Sequence, residues 1–327
     1  MIEASFYHKK DDNEVHCFLC PHNCLISPGK RGICRARLNQ DGVLYSENYG
    51  KISSLGMDPI EKKPLYHFYP GNKILSAGTF GCNFSCDYCQ NWQISQERPR
   101  VNELSPEQLV EVAEERAAIG IAYTYSEPSI WYEYVKDTAQ RASKSNLKNV
   151  MVTNGFISLE PLKELLPYLD AANVDLKAFD NDFYRKLCGG KIDPVLRNIE
   201  YLYENNVHLE ITTLIITDYN DSRDELKKLF SWISDLSPDI PLHISRYFPG
   251  YKLEKPATDI EKMKEAYKTA QEYLNHVYIG NVNLEEGSNT ICPECGYRAI
   301  ERNFYSSKNF LEDGKCPECN KIVYGKF

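Results

Sequence analysis

Between about residues 73 and 282, short apolar runs alternate with amphipathic stretches whose apolar positions recur at a helical period. Apolar runs spaced by about 25–45 residues and separated by helices are typical of repeated βα units around a parallel sheet. The runs that predict strands are KILSAG (73–78), IAYTY (121–125), NVMVT (149–153), NVDLK (173–177), HLEITTLIIT (208–217), PLHISRYF (241–248) and VYIG (277–280). Right-handed crossovers between so many units favour an α/β fold whose parallel sheet closes into a partial or full (β/α) barrel.

Start and stop signals locate several of the helices between these strands. Ser105 is predicted as an N-cap, with Pro106 at the first helical position and Gln108 closing a capping box. Gly120 is predicted as the glycine that ends this helix. The periodic stretches at 222–236 and 258–275 predict two further helices.

The two ends of the chain lack this periodicity and carry cysteines instead. Each end is too short to form a sizeable core, so each needs a bound metal for stability. The pattern predicts three parts: an N-terminal four-cysteine metal-binding segment (1–50), a core barrel (51–286) and a C-terminal zinc-ribbon or rubredoxin-like module (287–327).

Composition narrows the classes of protein that this chain can represent. A net charge of −8 argues against a general surface for nucleic acid or anionic membranes. No apolar run approaches the roughly 18 residues of a membrane span, and the first residues lack the apolar region of a signal peptide. We therefore expect a cytoplasmic protein with no nucleic-acid or membrane partner.

The 12 cysteines fall into groups, with Cys188 alone. In a long chain without an export signal, grouped cysteines favour metal sites over disulfides. The groups are an N-terminal set (Cys17, Cys20, Cys24, Cys34), a central trio (Cys82, Cys86, Cys89) and a C-terminal set (Cys292, Cys295, Cys316, Cys319).

The C-terminal set consists of two CPxC knuckles, ICPECG (291–296) and KCPECN (315–320). Paired knuckles at this spacing are a strong signal for a single tetrahedral metal ion. Zinc is preferred over iron because nothing else in this segment suggests electron transfer. Four thiolates leave no open position, so the expected role is structural.

The N-terminal set has the spacing C-x2-C-x3-C-x9-C, which zinc or an auxiliary iron–sulfur cluster could use. Zinc is the slightly preferred interpretation, because the four cysteines lie in one small loop and no ferredoxin-type spacing is met. Two histidines, His16 and His22, are alternative ligands. The nearby basic residues are expected to form a solvated face: Lys30, Arg31, Arg35 and Arg37.

The trio lies in GCNFSCDYCQNW (81–92), with the spacing C-x3-C-x2-C. This segment, the cysteine loop, follows a predicted strand, and active sites of parallel barrels lie at that carboxyl face. Three thiolates can hold three irons of a [4Fe–4S] cluster and leave the fourth iron open. The alternative is a zinc or cluster site that takes its fourth ligand from elsewhere, with His67 and Cys188 as candidates.

The cysteine loop, with Tyr88 just before its last cysteine, resembles the signature of the radical S-adenosylmethionine (SAM) superfamily. YSEP (125–128) resembles the Gly-Gly-Glu-Pro stretch of that superfamily, with Tyr125 and Ser126 replacing the glycines. TNGF (153–156) and DLK (175–177) resemble stretches of pyruvate formate-lyase activating enzymes, and His243 resembles a histidine of that family. In those enzymes an aspartate that helps to hold a cation precedes TNG, whereas this chain has Val152.

The resemblance implies a [4Fe–4S] cluster on the trio and a SAM molecule beside it. Glu127 would bind the SAM ammonium group, while Asp175 and Lys177 would lie near its carboxylate and ribose. The implied SAM-binding residues are Tyr88, Ser126, Glu127, Asp175, Lys177 and His243. Each has an ordinary alternative: Glu127 could cap a helix, Asp175 and Lys177 could form an ion pair, and His243 could be a core residue.

Over nearly the whole chain, the sequence resembles the radical SAM enzymes of the AmmeMemoRadiSam system. The segments that carry this likeness are CFLCPHNC (17–24), GKRGICRAR (29–37), DPIEKKPLYHFYPG (58–71), the cysteine loop and the two knuckles. The resemblance implies Memo-type and AMMECR-type partner proteins and an electron donor of flavodoxin or ferredoxin type.

The implied activity is reductive cleavage of SAM to a 5′-deoxyadenosyl radical, which abstracts hydrogen from a protein, peptide or small-molecule substrate. One alternative is an activating enzyme for a glycyl-radical enzyme. Residues 90–104 contain no cysteine, which argues against the multi-cluster version of such an activator. A second alternative is a non-catalytic iron–sulfur or zinc scaffold or electron carrier.

Overall fold

An eight-stranded sheet forms the centre of the computed structural model, which describes residues 1–282, 284, 286–303 and 306–327. The strands follow one another in space in chain order, from β1 at one edge to β8 at the other. Strands β2 to β8 are parallel, and β1 pairs antiparallel with β2. The strands are β1 (Ser54–Pro59), β2 (Lys73–Gly78), β3 (Gly120–Tyr123), β4 (Lys148–Thr153), β5 (Ala171–Asp175), β6 (His208–Ile215), β7 (Leu242–Arg246) and β8 (Val277–Gly280).

The α/β prediction is confirmed, and all seven predicted strands are present, two of them with the predicted bounds. The sheet is open: β1 and β8 lie at its two edges and do not pair with each other among the described residues. The described strands therefore do not close into a full barrel. The antiparallel strand β1 is an addition that the sequence pattern did not predict.

Six helices connect the strands: α1 (Pro106–Glu115), α2 (Tyr132–Lys144), α3 (Leu159–Leu165), α4 (Asp193–Glu204), α5 (Arg223–Leu236) and α6 (Ile260–Gln271). Shorter helical turns occupy Asp11–Asn13, Ile60–Lys62, Trp92–Ser95, Pro128–Trp131, Leu166–Tyr168 and Asn181–Phe183, and a π-helix spans Tyr184–Cys188. None of the helices in the described ranges has the length and apolar character needed to cross a membrane.

The predicted capping box of α1 is confirmed, because Ser105 accepts from the Gln108 N–H and the Gln108 side chain accepts from the Ser105 N–H. The predicted role of Gly120 is wrong. Helix α1 ends at Glu115, and Gly120 is the first residue of β3. A Cβ atom at Gly120 would lie 2.0 Å from the Lys148 carbonyl oxygen, so glycine permits close pairing with β4.

The N-terminal segment packs on the sheet through short antiparallel strands. Its buried apolar side chains, including Val15, Leu19 and Leu44, belong to the same hydrophobic cluster as the core of the sheet. The strands are Ile2–Glu3, Tyr7–Lys9, Val15–Cys17, Cys24–Ile26, Arg37–Gln40 and Val43–Ser46, and Lys51–Ile52 pairs with Asn102–Glu103.

Arg37 contradicts the expected solvated face, because its side chain is only 1% exposed. One terminal nitrogen of its guanidinium donates to both carboxylate oxygens of Glu133 of α2, at 2.8 and 2.9 Å, and forms a buried ion pair. The exposed Arg31 guanidinium, by contrast, pairs with Glu47. The N-terminal segment is thus joined to the sheet by a buried charge pair as well as by apolar contacts.

The C-terminal segment forms an antiparallel sheet of Thr290–Ile291, Arg298–Asn303 and Ser306–Asn309. It docks near the amino end of β6, where the Tyr324 hydroxyl accepts from the Leu209 N–H at 3.0 Å. Arg302 donates to the Tyr66 carbonyl oxygen at 2.6 Å. The first contact joins the C-terminal segment to β6, and the second joins it to the segment that links β1 and β2.

A buried carboxylate, Glu210 of β6, organises this junction. It accepts from the backbone N–H groups of Tyr66 and His67 and contacts ring nitrogens of His208 and His243. Burial alone would raise the pKa of Glu210, but the bonds from the two histidines hold it well below its usual value. Glu210 therefore remains charged inside the protein.

Candidate functional site

A cavity of about 600 Å³ lies beside the carboxyl ends of several sheet strands. That volume is within the range of small-molecule sites, roughly 300–1,000 Å³. All nine residues predicted to hold the cluster or SAM line this one cavity: Cys82, Cys86, Tyr88, Cys89, Ser126, Glu127, Asp175, Lys177 and His243. The sheet therefore brings together residues that are 161 positions apart in the chain, from Cys82 to His243.

The cysteine loop leaves β2 through a turn at Gly81, whose φ is +92°. A Cβ atom at Gly81 would lie 2.5 Å from the Cys34 carbonyl oxygen, so this position requires glycine. The three thiols of the trio are free, and the Phe84 N–H donates to the Cys82 sulfur at 3.3 Å. Three free thiols on the wall of one cavity are a donor set that suits three irons of a [4Fe–4S] cluster.

Neither proposed fourth ligand lines the cavity. His67 is fully buried at the C-terminal junction, where its ring nitrogens contact the Tyr324 carbonyl and the Tyr278 hydroxyl. Cys188 is a neighbour of Cys86, and its sulfur lies 3.2 Å from the Tyr88 hydroxyl. Cys188 supports the back of the cysteine loop, since its carbonyl also accepts from the Ser85 N–H at 2.9 Å.

Glu127 is a buried carboxylate held by three hydrogen bonds. It accepts from the Ser129 N–H at 2.9 Å, the Thr153 hydroxyl at 2.6 Å and the Asn154 N–H at 2.8 Å. The bond to Ser129 caps the short turn at Pro128–Trp131, so the helix-cap alternative is also met. Burial raises the pKa of Glu127, and the bonds from Asn154 and Thr153 oppose that rise.

No Lys, Arg or His among the described residues forms an ion pair with Glu127. A buried carboxylate without a cation is costly, and an incoming ammonium group would remove that cost. The geometry therefore suits a cationic ligand at Glu127.

Asp175 and Lys177 form an ion pair with a nitrogen–oxygen distance of 3.1 Å. This pair is the alternative to SAM binding that the sequence analysis gave for the two residues. Burial would lower the pKa of Lys177, but the Asp175 carboxylate holds it well above its usual value, so the amine is charged. The backbone N–H of Lys177 also donates to the Tyr184 hydroxyl, at 3.0 Å. The pair thus offers a fixed positive and negative charge on the cavity wall.

His243 is the second residue of β7 and is level with Thr212 of β6, which is level in turn with Asp175 of β5. One ring nitrogen lies 2.6 Å from Glu210, and the ring packs against Tyr66. His243 is therefore partly the buried core residue that its alternative described. Its side chain nevertheless also lines the cavity.

Val152 lines the same cavity where the activating enzymes have an aspartate. A valine side chain offers no oxygen to a cation, so that carboxylate ligand is missing.

Sequence reasoning missed a charged wall of the cavity, which Glu61, Lys62 and Lys63 contribute from the turn after β1 and which Asp58 of β1 supports from behind. Asp58 accepts from the Lys63 amine at 2.7 Å and from the Tyr125 hydroxyl at 2.7 Å. Burial would raise the pKa of Asp58, but the bonds from Lys63, Tyr125 and Lys62 lower it strongly. The only sequence signal was the stretch 58–71, noted for its resemblance and not for any contact it makes.

The C-terminal set forms a second candidate site. Its four ligand sulfurs all lie within 4.8 Å of one another, and two sulfur pairs are 3.6 and 3.5 Å apart. Zinc–sulfur bonds of about 2.3 Å in a tetrahedron place the sulfurs about 3.8 Å apart. The set could therefore hold one tetrahedral ion with little rearrangement.

Comparison with known proteins identifies the class to which this fold and cavity belong. The model of the radical SAM superfamily matches residues 77–233. An uncharacterized protein of Methanocaldococcus jannaschii is 45% identical over 332 residues, covering 99% of both chains. The chain belongs to the radical SAM superfamily, whose members are enzymes that use a [4Fe–4S] cluster, SAM and a reductant.

More distant matches give two further likenesses. The pyruvate formate-lyase-activating enzyme of Clostridium pasteurianum is 25% identical over 218 residues, covering 60% of this chain and 88% of that enzyme. The structure of Streptococcus suis SuiB bound to SAM matches with a TM-score of 0.54 at 14% identity. That match covers 71% of this chain and 55% of SuiB, and it shows the likeness of the fold.

Proposed function

We propose that this chain is the radical SAM enzyme of an AmmeMemoRadiSam system. The trio would hold a [4Fe–4S] cluster, and Tyr88, Ser126, Glu127, Asp175, Lys177 and His243 would hold SAM. The cluster and SAM, when bound, supply reductive cleavage to a 5′-deoxyadenosyl radical that abstracts hydrogen from a protein, peptide or small molecule. The observation that carries the proposal is the single cavity that all nine residues line.

The residues of this chain would bind and orient SAM. Glu127 suits the ammonium group, because it is a buried carboxylate with no cationic partner among the described side chains. Thr153 and Asn154 fix its orientation, and the Asn154 amide also donates to the Asn83 side chain at 2.8 Å. Because Asn83 follows Cys82, the same contacts set the distance between the ammonium site and the cysteine loop.

The charged pair Asp175–Lys177 would orient the remaining polar groups of SAM. Lys177 offers a charged donor for the carboxylate, and Asp175 offers an acceptor for ribose hydroxyl groups. Tyr66, Phe84 and Leu214 contribute apolar surface to the lining of the cavity. Apolar lining suits radical chemistry, because the exclusion of water from a site prevents side reactions.

Further parts of the proposal concern the rest of the chain and its partners. The division into segments 1–50, 51–286 and 287–327 is retained, with zinc as the proposed ion of the C-terminal set. We also retain Memo-type and AMMECR-type proteins as partners and a flavodoxin- or ferredoxin-type protein as electron donor. The whole-chain likeness of sequence supports the system, and the sulfur spacing supports a single tetrahedral ion in the C-terminal set.

Formation of 5′-deoxyadenosine tests the function. Anaerobically reconstituted protein with dithionite and SAM should form this product, and Cys86→Ala should abolish it because the cluster loses one of three ligands. Product formation by the Cys86→Ala protein would refute the assignment. Reconstituted wild-type protein that forms no 5′-deoxyadenosine would instead favour the scaffold or electron-carrier alternative.

A second candidate function is activation of a glycyl-radical enzyme. The observation in its favour is the likeness to the pyruvate formate-lyase-activating enzyme, which spans 88% of that enzyme. Deuterium transfer distinguishes the two functions: candidate partner proteins are labelled, and 5′-deoxyadenosine is analysed by mass spectrometry. Label transferred from a backbone glycine would favour activation, whereas label from a Memo-type or AMMECR-type protein would favour the first proposal.

A further inference from the structure

The N-terminal set surrounds a second, smaller pocket. Cys17 and Cys24 are partners on adjacent antiparallel strands, Cys20 lies in the turn between them, and Cys34 comes from the next loop. All four thiols are free and line the same pocket. Its remaining walls are mostly apolar and include Ile26 and Ile130. Four free thiols around one enclosed space are the arrangement of a metal or cluster site.

Sulfur spacing separates this set from the C-terminal one. In the C-terminal set, all four ligand sulfurs lie within 4.8 Å of one another. Among the described residues, no other group of three or more Cys, His, Asp or Glu meets this limit. The N-terminal set is wider than this limit, and so is the trio. A single zinc ion draws its thiolates to about 3.8 Å, whereas the thiolates of a [4Fe–4S] cluster each bind a different iron. Like the trio, the N-terminal set therefore lacks the close sulfur contacts of a single-ion site.

A buried donor on the pocket wall supplies independent evidence for an anionic occupant. Arg37 lines the pocket and is 1% exposed. Its terminal nitrogens bond Glu133 and the Ser5 carbonyl, but its Nε–H has no acceptor among the described groups. A buried N–H without an acceptor is costly, and the sulfurs of a bound cluster would accept from it.

The pocket is built directly against the cysteine loop. The Cys34 carbonyl packs on Gly81, the residue before Cys82. The His22 Nε2–H donates to the carbonyl oxygen of Asn83, the residue after Cys82, at 2.7 Å. Two short paths thus join the N-terminal set to one ligand of the trio.

We propose that Cys17, Cys20, Cys24 and Cys34 hold a second [4Fe–4S] cluster beside the cysteine loop. This assignment replaces the slight sequence-based preference for zinc and does not depend on the proposed function. Four thiolates leave no open iron, so this cluster carries electrons and does not bind SAM.

The role of the second cluster, which does rest on the proposed function, is to pass one electron to the cluster on the trio. The second cluster is oxidised in that step. A flavodoxin- or ferredoxin-type donor then reduces it again, which balances the transfer.

The assignment is tested on the full chain with Cys82→Ala, Cys86→Ala and Cys89→Ala combined, which leaves the N-terminal set intact. After anaerobic reconstitution, this variant should retain about four irons and four acid-labile sulfides per chain, the content of one [4Fe–4S] cluster. The acid-labile sulfide distinguishes a cluster from a single iron bound by the C-terminal set, because a single iron contributes no acid-labile sulfide. Zinc in the N-terminal set with no acid-labile sulfide would overturn the assignment.

A paired variant, Cys20→Ser with Cys34→Ser, provides the complement. Added to the triple variant, it should remove the remaining sulfide; sulfide that persists would overturn the assignment. If the paired variant does not fold, the analysis of the triple variant alone decides.

Electron paramagnetic resonance tests the electron-transfer role. The spectrum of the fully reduced wild type should show spin coupling between two clusters, and this coupling should be absent from the triple variant. Two uncoupled signals would overturn the electron-transfer role while leaving the second cluster in place.

Discussion

At the scale of single residues, the charge of Glu127 is the main determinant of what the cavity can bind. The carboxylate is buried, is fixed by Thr153 and Asn154, and lacks a cationic partner among the described residues. Its three donors are all neutral, so the charge is available to a ligand.

Glu127→Gln is therefore expected to weaken SAM binding while preserving the shape of the side chain. The loss of one charge-assisted hydrogen bond predicts an affinity lower by about 10- to 100-fold. Isothermal titration calorimetry on anaerobically reconstituted protein measures this change. Equal affinity in the variant and the wild type would remove Glu127 from the ammonium site.

Cys188 provides a matched test of the open iron. We expect Cys188→Ser to keep about four irons on the trio, because Cys188 contacts Cys86 and Tyr88 but does not line the cavity. Cys86→Ala, at the neighbouring cysteine, should lose the cluster. Iron and sulfide analysis, together with 5′-deoxyadenosine formation, compares the two proteins. Loss of the cluster in Cys188→Ser would indicate a fourth protein ligand.

Some of these residues were accessible to sequence reasoning and others were not. Glu127 follows one predicted strand, and Asp175 and Lys177 lie at the end of another. The carboxyl ends of parallel strands meet at one face, so the convergence of these residues was predictable. The ion pair of Asp58 with Lys63 was not, because the contact of Asp58 with Tyr125 spans 67 positions of the chain. The burial of Arg37 was also missed, because its partner Glu133 is 96 positions away.

At the scale of secondary-structure elements, local signals were sufficient where capping or a buried strand decides the structure. Helix α5 begins at Arg223 with Ser222 as its N-cap, within the predicted stretch. Strand β1 was missed because SLGMDP mixes glycine, proline and charge, and an edge strand needs no continuous apolar run. Gly120 was misassigned because its close contact with Lys148 arises only when the strands pair.

The capping box of α1 can be measured. Ser105→Ala removes the side-chain acceptor for the Gln108 N–H and should lower the free energy of unfolding by about 1 kcal/mol. Ser158→Ala is the matched control, because Ser158 is the N-cap of α3 but its side chain makes no capping bond. Urea denaturation should therefore show a smaller loss for Ser158→Ala, and equal losses would contradict the role of the box.

At the scale of the whole molecule, the C-terminal segment and the sheet share one buried polar network. His67 contacts Tyr324 and Tyr278, and Arg302 reaches the Tyr66 carbonyl. The ring of His276 packs on His67 with centroids 4.5 Å apart, and neither of its nitrogens has a partner among the described groups. Sequence reasoning could not reach this network, because its contacts span more than 200 positions.

The network predicts that stability depends on pH in a defined range. Burial lowers the pKa of His276 to about 4, with Arg302 lowering it further and Asp239 and Glu210 opposing the shift. Between pH 6.5 and about 4 the unfolded chain binds a proton at this residue that the folded chain does not. The free energy of unfolding should therefore fall by up to about 3 kcal/mol as the pH decreases through that range.

Urea denaturation from pH 7 to pH 4 measures this dependence. His276→Phe should flatten the curve in that range, although His67, whose pKa burial also lowers, would leave part of the slope. His8→Phe, at an exposed position of the first hairpin, is the control. A slope that is unchanged in His276→Phe would contradict the role of His276.

The contact between Arg302 and Tyr66 has a consequence for biosynthesis. Tyr66 forms part of the cavity wall, and the segment that carries it is held by Arg302 and by the Lys326 N–H, which donates to the His67 carbonyl at 2.8 Å. A ribosome produces the cysteine loop more than 200 residues before Arg302. A nascent chain can therefore present the trio to the cell's cluster-assembly machinery well before the wall of the SAM cavity is in place.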